Sequence, residues 1–156
     1  MIQKFIKKCD EFVLCGGYGE ANGIFTDGFP DNNAIYHIIT KGSVKMGRPF
    51  EPNYISLDAD SNNFVDVKDY LYSQRVYTSS SPYHMFGFNA IDPKQMWDGK
   101  LVKDSFDGDD KSWLICFKGK PIINNKVINP MDYAKLDFKH YDVVLNDAVV
   151  GLFTKL

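Results

Sequence analysis

The chain is 156 residues long, 44% hydrophobic and 24% charged, a composition that excludes a disordered or fibrous protein. A formal net charge of −2 supplies no long-range attraction for nucleic acid or an anionic membrane, and no apolar run approaches a membrane span. Three cysteines at unrelated spacings, Cys9, Cys15 and Cys116, argue against a disulfide framework and fit a reducing, cytoplasmic setting.

In chain order, Met1–Phe12 carries Ile2, Phe5, Ile6 and Cys9 at helix-like spacing, over a stretch too short to define a helix, and no signal peptide. Beyond it, short β-rich runs alternate with Gly, Pro, Asn and Asp clusters, the pattern of an all-β sandwich or barrel. The expected strands are Glu11–Cys15, Ala34–Thr40, Ser43–Met46, Tyr54–Leu57, Arg75–Thr78, His84–Phe88, Ser112–Phe117, Pro121–Ile123, Tyr133–Asp137, Asp142–Leu145 and Ala148–Phe153. Gly16-Gly17-Tyr18-Gly19 lacks the spacing of a phosphate cradle and is expected to be a turn. Asn124-Asn125 predicts a tight hairpin, because Asn tolerates the left-handed backbone such turns need. Aromatics make up 15% of the chain, and strand packing accounts for them more simply than a ligand-stacking platform does.

Two stretches share one pattern. Ile39-Thr40-Lys41-Gly42 runs through Pro52 to Tyr54-Ile55-Ser56-Leu57-Asp58; Cys116-Phe117-Lys118-Gly119 runs through Pro130 to Tyr133-Ala134-Lys135-Leu136-Asp137. The Lys-Gly pairs are offset by 119 − 42 = 77 positions and the Tyr-x-x-Leu-Asp runs by 137 − 58 = 79. This predicts one globular unit over 1–156 built from pseudo-repeats near 11–90 and 91–156, with Asp60–Ser73 extra in the first and Asp92–Asp110 a joining loop.

The run Ser112–Gly119, then Pro121-Ile122-Ile123-Asn124, then Pro130-Met131-Asp132-Tyr133 resembles the core of a cupin, with Ile35–Gly42 and Pro52 as a second version. The resemblance covers about half the chain and implies an all-β, cupin-like jelly-roll barrel, duplicated as in a bicupin. Cupin chemistry commonly rests on a metal held by His-x-His, a Glu seven residues before the strand-ending Gly, and a later His. Here Ile35 and Ser112 stand at the Glu positions, Phe29–Asp31 and Phe106–Gly108 replace His-x-His, and Lys135 falls near the later His. First-row metals need converging imidazole and carboxylate donors. A transition metal is therefore not expected, and no other cofactor is.

Alternation along Ile35–Thr40 places Ile35, His37 and Ile39 on one face. If that face is inward, His37 lines a pocket, with His84 across from it and Tyr36, Tyr83 and Arg48 nearby; the competing view makes each histidine a hydrogen-bonded packing residue. Asp58, Asp60, Asn62, Asp66 and Asp69 match the spacing of a calcium loop, although Asn63 replaces its Gly and Asp69 its bidentate Glu, so a solvated insertion competes. The leading functional expectation is metal-independent binding of a small polar ligand, a sugar or an organic acid. A structural or assembly module and a metal-independent isomerase or epimerase are the alternatives. Exposed sheet edges make a homodimer an expected partner.

Overall fold

The runs rich in Val, Ile, Phe and Tyr do become strands. The computed structural model describes residues 3–20, 24–26, 34–47, 54–61, 63–67 and 76–156, and every regular element among them is β. Among these residues no helix is long and apolar enough to cross a membrane. The chain divides into two compact units, Met1–Pro93 and Lys94–Leu156.

The first unit holds β1 (Gln3–Lys8), β2 (Phe12–Gly19), β3 (Ile24–Thr26), β4 (Ala34–Lys41), β5 (Ser43–Gly47), β6 (Tyr54–Asp58), β7 (Phe64–Asp66), β8 (Val76–Thr78) and β9 (Tyr83–Ala90). Two antiparallel sheets result, ordered β1-β2-β9-β4-β7 and β3-β8-β5-β6. Ile39, Met85 and Tyr83 from the first sheet share a core with Val44, Met46, Leu57 and Tyr77 from the second, so the sheets pack face to face. Strand β4 is buried from Ala34 to Thr40 on both faces, which is why its sequence is a continuous apolar run and not an alternation.

Two local expectations are corrected here. The helix-like spacing in Met1–Phe12 overlaps β1, which pairs with β2 in the register Ile6↔Cys15; four apolar positions in so short a run do not fix the period. Gly16–Gly19 is no turn but the second half of β2. Gly19 opposes Tyr83, whose Cζ lies 2.1 Å from where a Cβ on residue 19 would sit, so the ring occupies the space a side chain would take. A glycine does make the sharp corner between β4 and β5. Gly42 has φ +74°, and a Cβ there would fall 2.2 Å from the Pro82 carbonyl oxygen.

The second unit holds β10 (Trp97–Leu101), β11 (Phe106–Asp107), β12 (Ser112–Lys118), β13 (Ile122–Ile123), β14 (Lys126–Val127), β15 (Tyr133–Lys135), β16 (His140–Tyr141), β17 (Val143–Val144) and β18 (Val149–Lys155). Its sheets run β10-β18-β12-β15, β14-β13-β17 and β11-β16 around a core of Leu114, Cys116, Ile123, Leu136, Tyr141, Val150 and Leu152. The segment expected as a joining loop, Asp92–Asp110, thus carries β10 and β11. The β13–β14 hairpin turns on the paired left-handed residues Asn124 and Asn125 (φ 49° and 63°), as expected, and Asn146 and Asp147 (φ 50° and 62°) make the turn from β17 to β18, which lie in different sheets.

Strand order corresponds between the units. The last strand of each enters between two earlier ones, β9 between β2 and β4, β18 between β10 and β12. β4 and β12 each end at a glycine of positive φ, Gly42 and Gly119. On the other side, Ile39 N donates to Asn63 O (2.8 Å) and Val67 N to Ile35 O (2.7 Å), while Cys116 N donates to Asp132 O (3.0 Å) and Leu136 N to Ser112 O (2.9 Å). By pairing, then, Tyr133–Lys135 takes the place of β7. The Tyr-x-x-Leu-Asp alignment sets it instead against Tyr54–Asp58, which is β6 and forms a hairpin with β5. Hence Asp60–Ser73, expected as an insertion, includes a paired strand, β7.

Candidate functional site

Alternation puts His37 on the same face of β4 as Ile39, toward the second sheet of the first unit. There its Nε2 lies 2.6 Å from the Tyr77 hydroxyl on β8, and both residues are 0% exposed. One of the two donates, according to the imidazole tautomer. Across the sheet, the row through His37 runs Cys15, Gly87, His37, Val65. Asn89, two residues beyond Gly87 and 2% exposed, lies on that same face. Its Nδ2 donates to Val13 O (3.1 Å) and Gly87 O (3.4 Å). Its Oδ1 is buried with no hydrogen-bond partner among the described residues. A Cβ on Gly87 would stand 3.6 Å from both His37 Nδ1 and Asn89 Nδ2, at ordinary contact distance, so the glycine leaves a notch bordered by the imidazole and the amide. The result is a small polar cluster, His37, Tyr77 and Asn89, with Cys15 in the same row, inside an apolar interior.

The second unit has no such cluster at the matching place. Its equivalent row is Lys100, Leu152, Leu114, Ala134, so Leu114 stands where His37 does and Leu152 where Gly87 does. Both leucines are buried in the core. What the first unit leaves as an imidazole beside a notch, the second fills with two isobutyl groups.

The other expected pocket residues separate by strand alternation, because sequence neighbours point to opposite faces. Tyr83 shares the inward face with Met85 and His37, and burial pushes its hydroxyl up to about 12. Tyr36 and His84 lie on the opposite face, Tyr36 packed on Phe64 (ring centroids 5.0 Å) and His84 on Tyr18 (4.1 Å). Arg48 lies outside the described residues. Tyr77, Asn89 and Gly87 were not singled out from the sequence. Their one signal was polarity inside apolar strand runs, most visible at Asn89.

Of the calcium-loop residues, Asn62 and Asp69 lie outside the described residues. Asp58 accepts hydrogen bonds from Ser43, Ser56 (3.4 Å) and Ser61 (3.5 Å), and Asp66 on β7 is exposed. Among the described residues no group of three or more His, Cys, Asp or Glu could hold a metal ion. At the two positions of the cupin carboxylate, Ile35 offers no donor, and Ser112 Oγ is hydrogen-bonded to Thr154 Oγ1 at 2.7 Å. One imidazole bonded to a phenol, with an amide and a thiol nearby, does not match the donor set of a first-row metal. The residues described do not fit the metal that the cupin resemblance would imply.

The second unit has one further titratable cluster, at its surface. His140 on β16 reaches Asp107 Oδ1 through Nδ1 (2.8 Å) and Asp142 Oδ1 through Nε2 (3.2 Å). The hydrogen bond to Asp107, assisted by both negative charges, holds its pKa above the usual histidine value against some desolvation.

No protein-family model matches the chain, and no curated protein matches it. Solved structures do. YhaK from Escherichia coli is similar over 98% of this chain and 86% of its own, at TM-score 0.56 and 12% identity. HutD from Pseudomonas fluorescens SBW25 is similar over 93% and 79%, at TM-score 0.54 and 12% identity. AerE from Microcystis aeruginosa is similar over 97% and 90%, at TM-score 0.54 and 10% identity. At these identities the likeness is one of fold alone, and the fold is all-β among the described residues.

Proposed function

We propose that this cupin-type protein binds a small polar ligand in its first unit without a metal, and that the second unit is a filled, structural counterpart from the same duplication. One observation carries the reading: a buried histidine–tyrosine pair beside a buried asparagine whose Oδ1 has no partner among the described residues, at a place the second unit fills with Leu114 and Leu152. An unmatched buried carbonyl costs about 1–3 kcal/mol, which supports a ligand hydroxyl as the donor it accepts from. His37 and Tyr77 would orient the ligand and Asn89 would accept from it.

The test is a thermal-shift screen of sugars and organic acids on metal-stripped protein, paired with metal analysis of the protein as purified. A ligand at about 100 times its Kd adds about 2.7 kcal/mol and raises Tm by several degrees. The response is expected to survive metal removal and to vanish in His37→Leu. A transition metal bound at one per chain would overturn the reading, and no response from any ligand would favour a structural or assembly role.

Proton transfer is the second reading, favoured by the 2.6 Å contact between His37 and Tyr77. It predicts exchange of a ligand carbon-bound proton with solvent deuterium, lost in Tyr77→Phe.

A further inference from the structure

Resting on that ligand-binding reading, we infer that the site takes a neutral, hydroxyl-bearing ligand, a sugar or polyol, and discriminates against carboxylates. The buried polar side chains among the described residues are His37, Thr40, Ser79, Asn89 and Ser112, with no buried Lys, Arg, Asp or Glu. A carboxylate set beside Asn89 would have only the His37 imidazole to pair with, and charging both groups in an apolar interior costs several kcal/mol. The asparagine adds a sign to this. Its Nδ2 is committed to the Val13 and Gly87 carbonyls, which fixes the amide orientation and leaves Oδ1, an acceptor, as its open atom. An acceptor repels a carboxylate and attracts an O–H.

Size follows from the comparison inside the chain. Gly87 stands where the second unit has Leu152, but a Cβ at Gly87 would already touch its neighbours at 3.6–3.9 Å, so the notch is about the size of one methyl and admits a single hydroxyl group. His37 Nδ1 and the Asn89 amide border it on the same face.

The experiment uses matched pairs on the full chain: glucose with gluconate, galactose with galactonate, and glycerol with glycerate, measured by calorimetry and saturation-transfer NMR. Gly87→Ala is the reporting variant. Its Cβ meets neighbours only at 3.6–3.9 Å, so the fold should tolerate it while the notch closes. The expected result is binding of at least one neutral member, at least tenfold tighter than its carboxylate, and at least tenfold weakened in Gly87→Ala at unchanged Tm. Tighter binding of the carboxylate members would overturn the inference while leaving ligand binding intact, and its loss in Arg48→Gln would identify the cation. Neutral binding that Gly87→Ala leaves untouched would also overturn it, by moving the ligand elsewhere. If no member of any pair binds, it is the ligand-binding reading that fails.

Discussion

Replacing Tyr77 by Phe tests whether the buried His37–Tyr77 contact is an energetic unit. The ring stays, so no cavity opens; what is lost is one hydroxyl at 2.6 Å from an imidazole nitrogen, with both residues 0% exposed. A net hydrogen bond is worth about 0.5–1.5 kcal/mol, and the imidazole nitrogen left behind in a dry interior adds a desolvation penalty, for a total of about 1–3 kcal/mol. Urea unfolding followed by circular dichroism should show the midpoint falling by roughly 0.5–1.5 M for a slope near 2 kcal/mol/M. His37→Leu copies the solution the second unit adopts at Leu114, and in that background Tyr77→Phe should cost much less, because nothing is left unsatisfied. The pair should therefore show a coupling of about 1–2 kcal/mol in a double-mutant cycle. Strictly additive losses, or a Tyr77→Phe loss below about 0.5 kcal/mol, would refute the reasoning.

The remaining predictions concern the surface cluster, the thiols and the corners. The His140 resonance should titrate above 6.5, chiefly through its hydrogen bond to Asp107, and Asp107→Asn should bring it down. A raised folded-state value means the stabilisation is complete below the unfolded value and lost as pH rises through the folded one; a midpoint at or below 6.5 refutes it. Burial pushes the Cys116 thiol up to about 11, and Cys15 is 1% exposed, so a thiol reagent at pH 8 should modify Cys9 alone until denaturant exposes all three. Because the Cys116 value is raised, its contribution fades as pH climbs from about 9 toward 11, and unfolding by urea should grow easier over that window. Gly42→Ala, with its Cβ 2.2 Å from the Pro82 oxygen at φ +74°, should lose more than about 1 kcal/mol in the same urea assay. Asp147→Gly, at φ 62° in the β17–β18 turn, should raise the melting temperature by a degree or two; a fall would mean that the aspartate side chain holds the turn.

The architecture was legible wherever residue type alone decides the backbone. Runs such as Ala34–Thr40 and Ser112–Phe117 announced central strands, and Gly42, Gly119 and Asn124-Asn125 announced corners, because apolar runs and left-handed turns leave local marks. Short strands such as His140–Tyr141 or Phe106–Asp107 are fixed by their partners, and their sequences carry little signal. The same holds for the repeat. The Lys-Gly steps both fall where a strand, β4 or β12, ends at a glycine of positive φ, whereas Tyr-x-x-Leu-Asp matches by letters two strands that pair differently. At the site, His37 could be placed by counting residues along β4. Tyr77, Asn89 and Gly87 become its neighbours only through pairing across the sheet and between sheets, at separations of 40 residues or more from His37. Counting also separates His37 from Tyr36 and Tyr83 from His84, a consequence of alternation that applies as soon as each pair shares a strand.

The placement of the closing strands bears on how this chain is made. β9 enters between β2 and β4, and β18 between β10 and β12, so the middle of each principal sheet is the part that leaves the ribosome last. Until Tyr83–Ala90 has emerged, β2 and β4 have no partner between them, and the apolar stretch Ala34–Thr40 must wait exposed or be shielded by a chaperone. Such late, long-range pairing is slow, because chain closure must be complete before the contacts reward it. A stop codon just ahead of Val149 would therefore take out the strand that joins β10 to β12, splitting the sheet in two where loss of an outer strand would only shorten it.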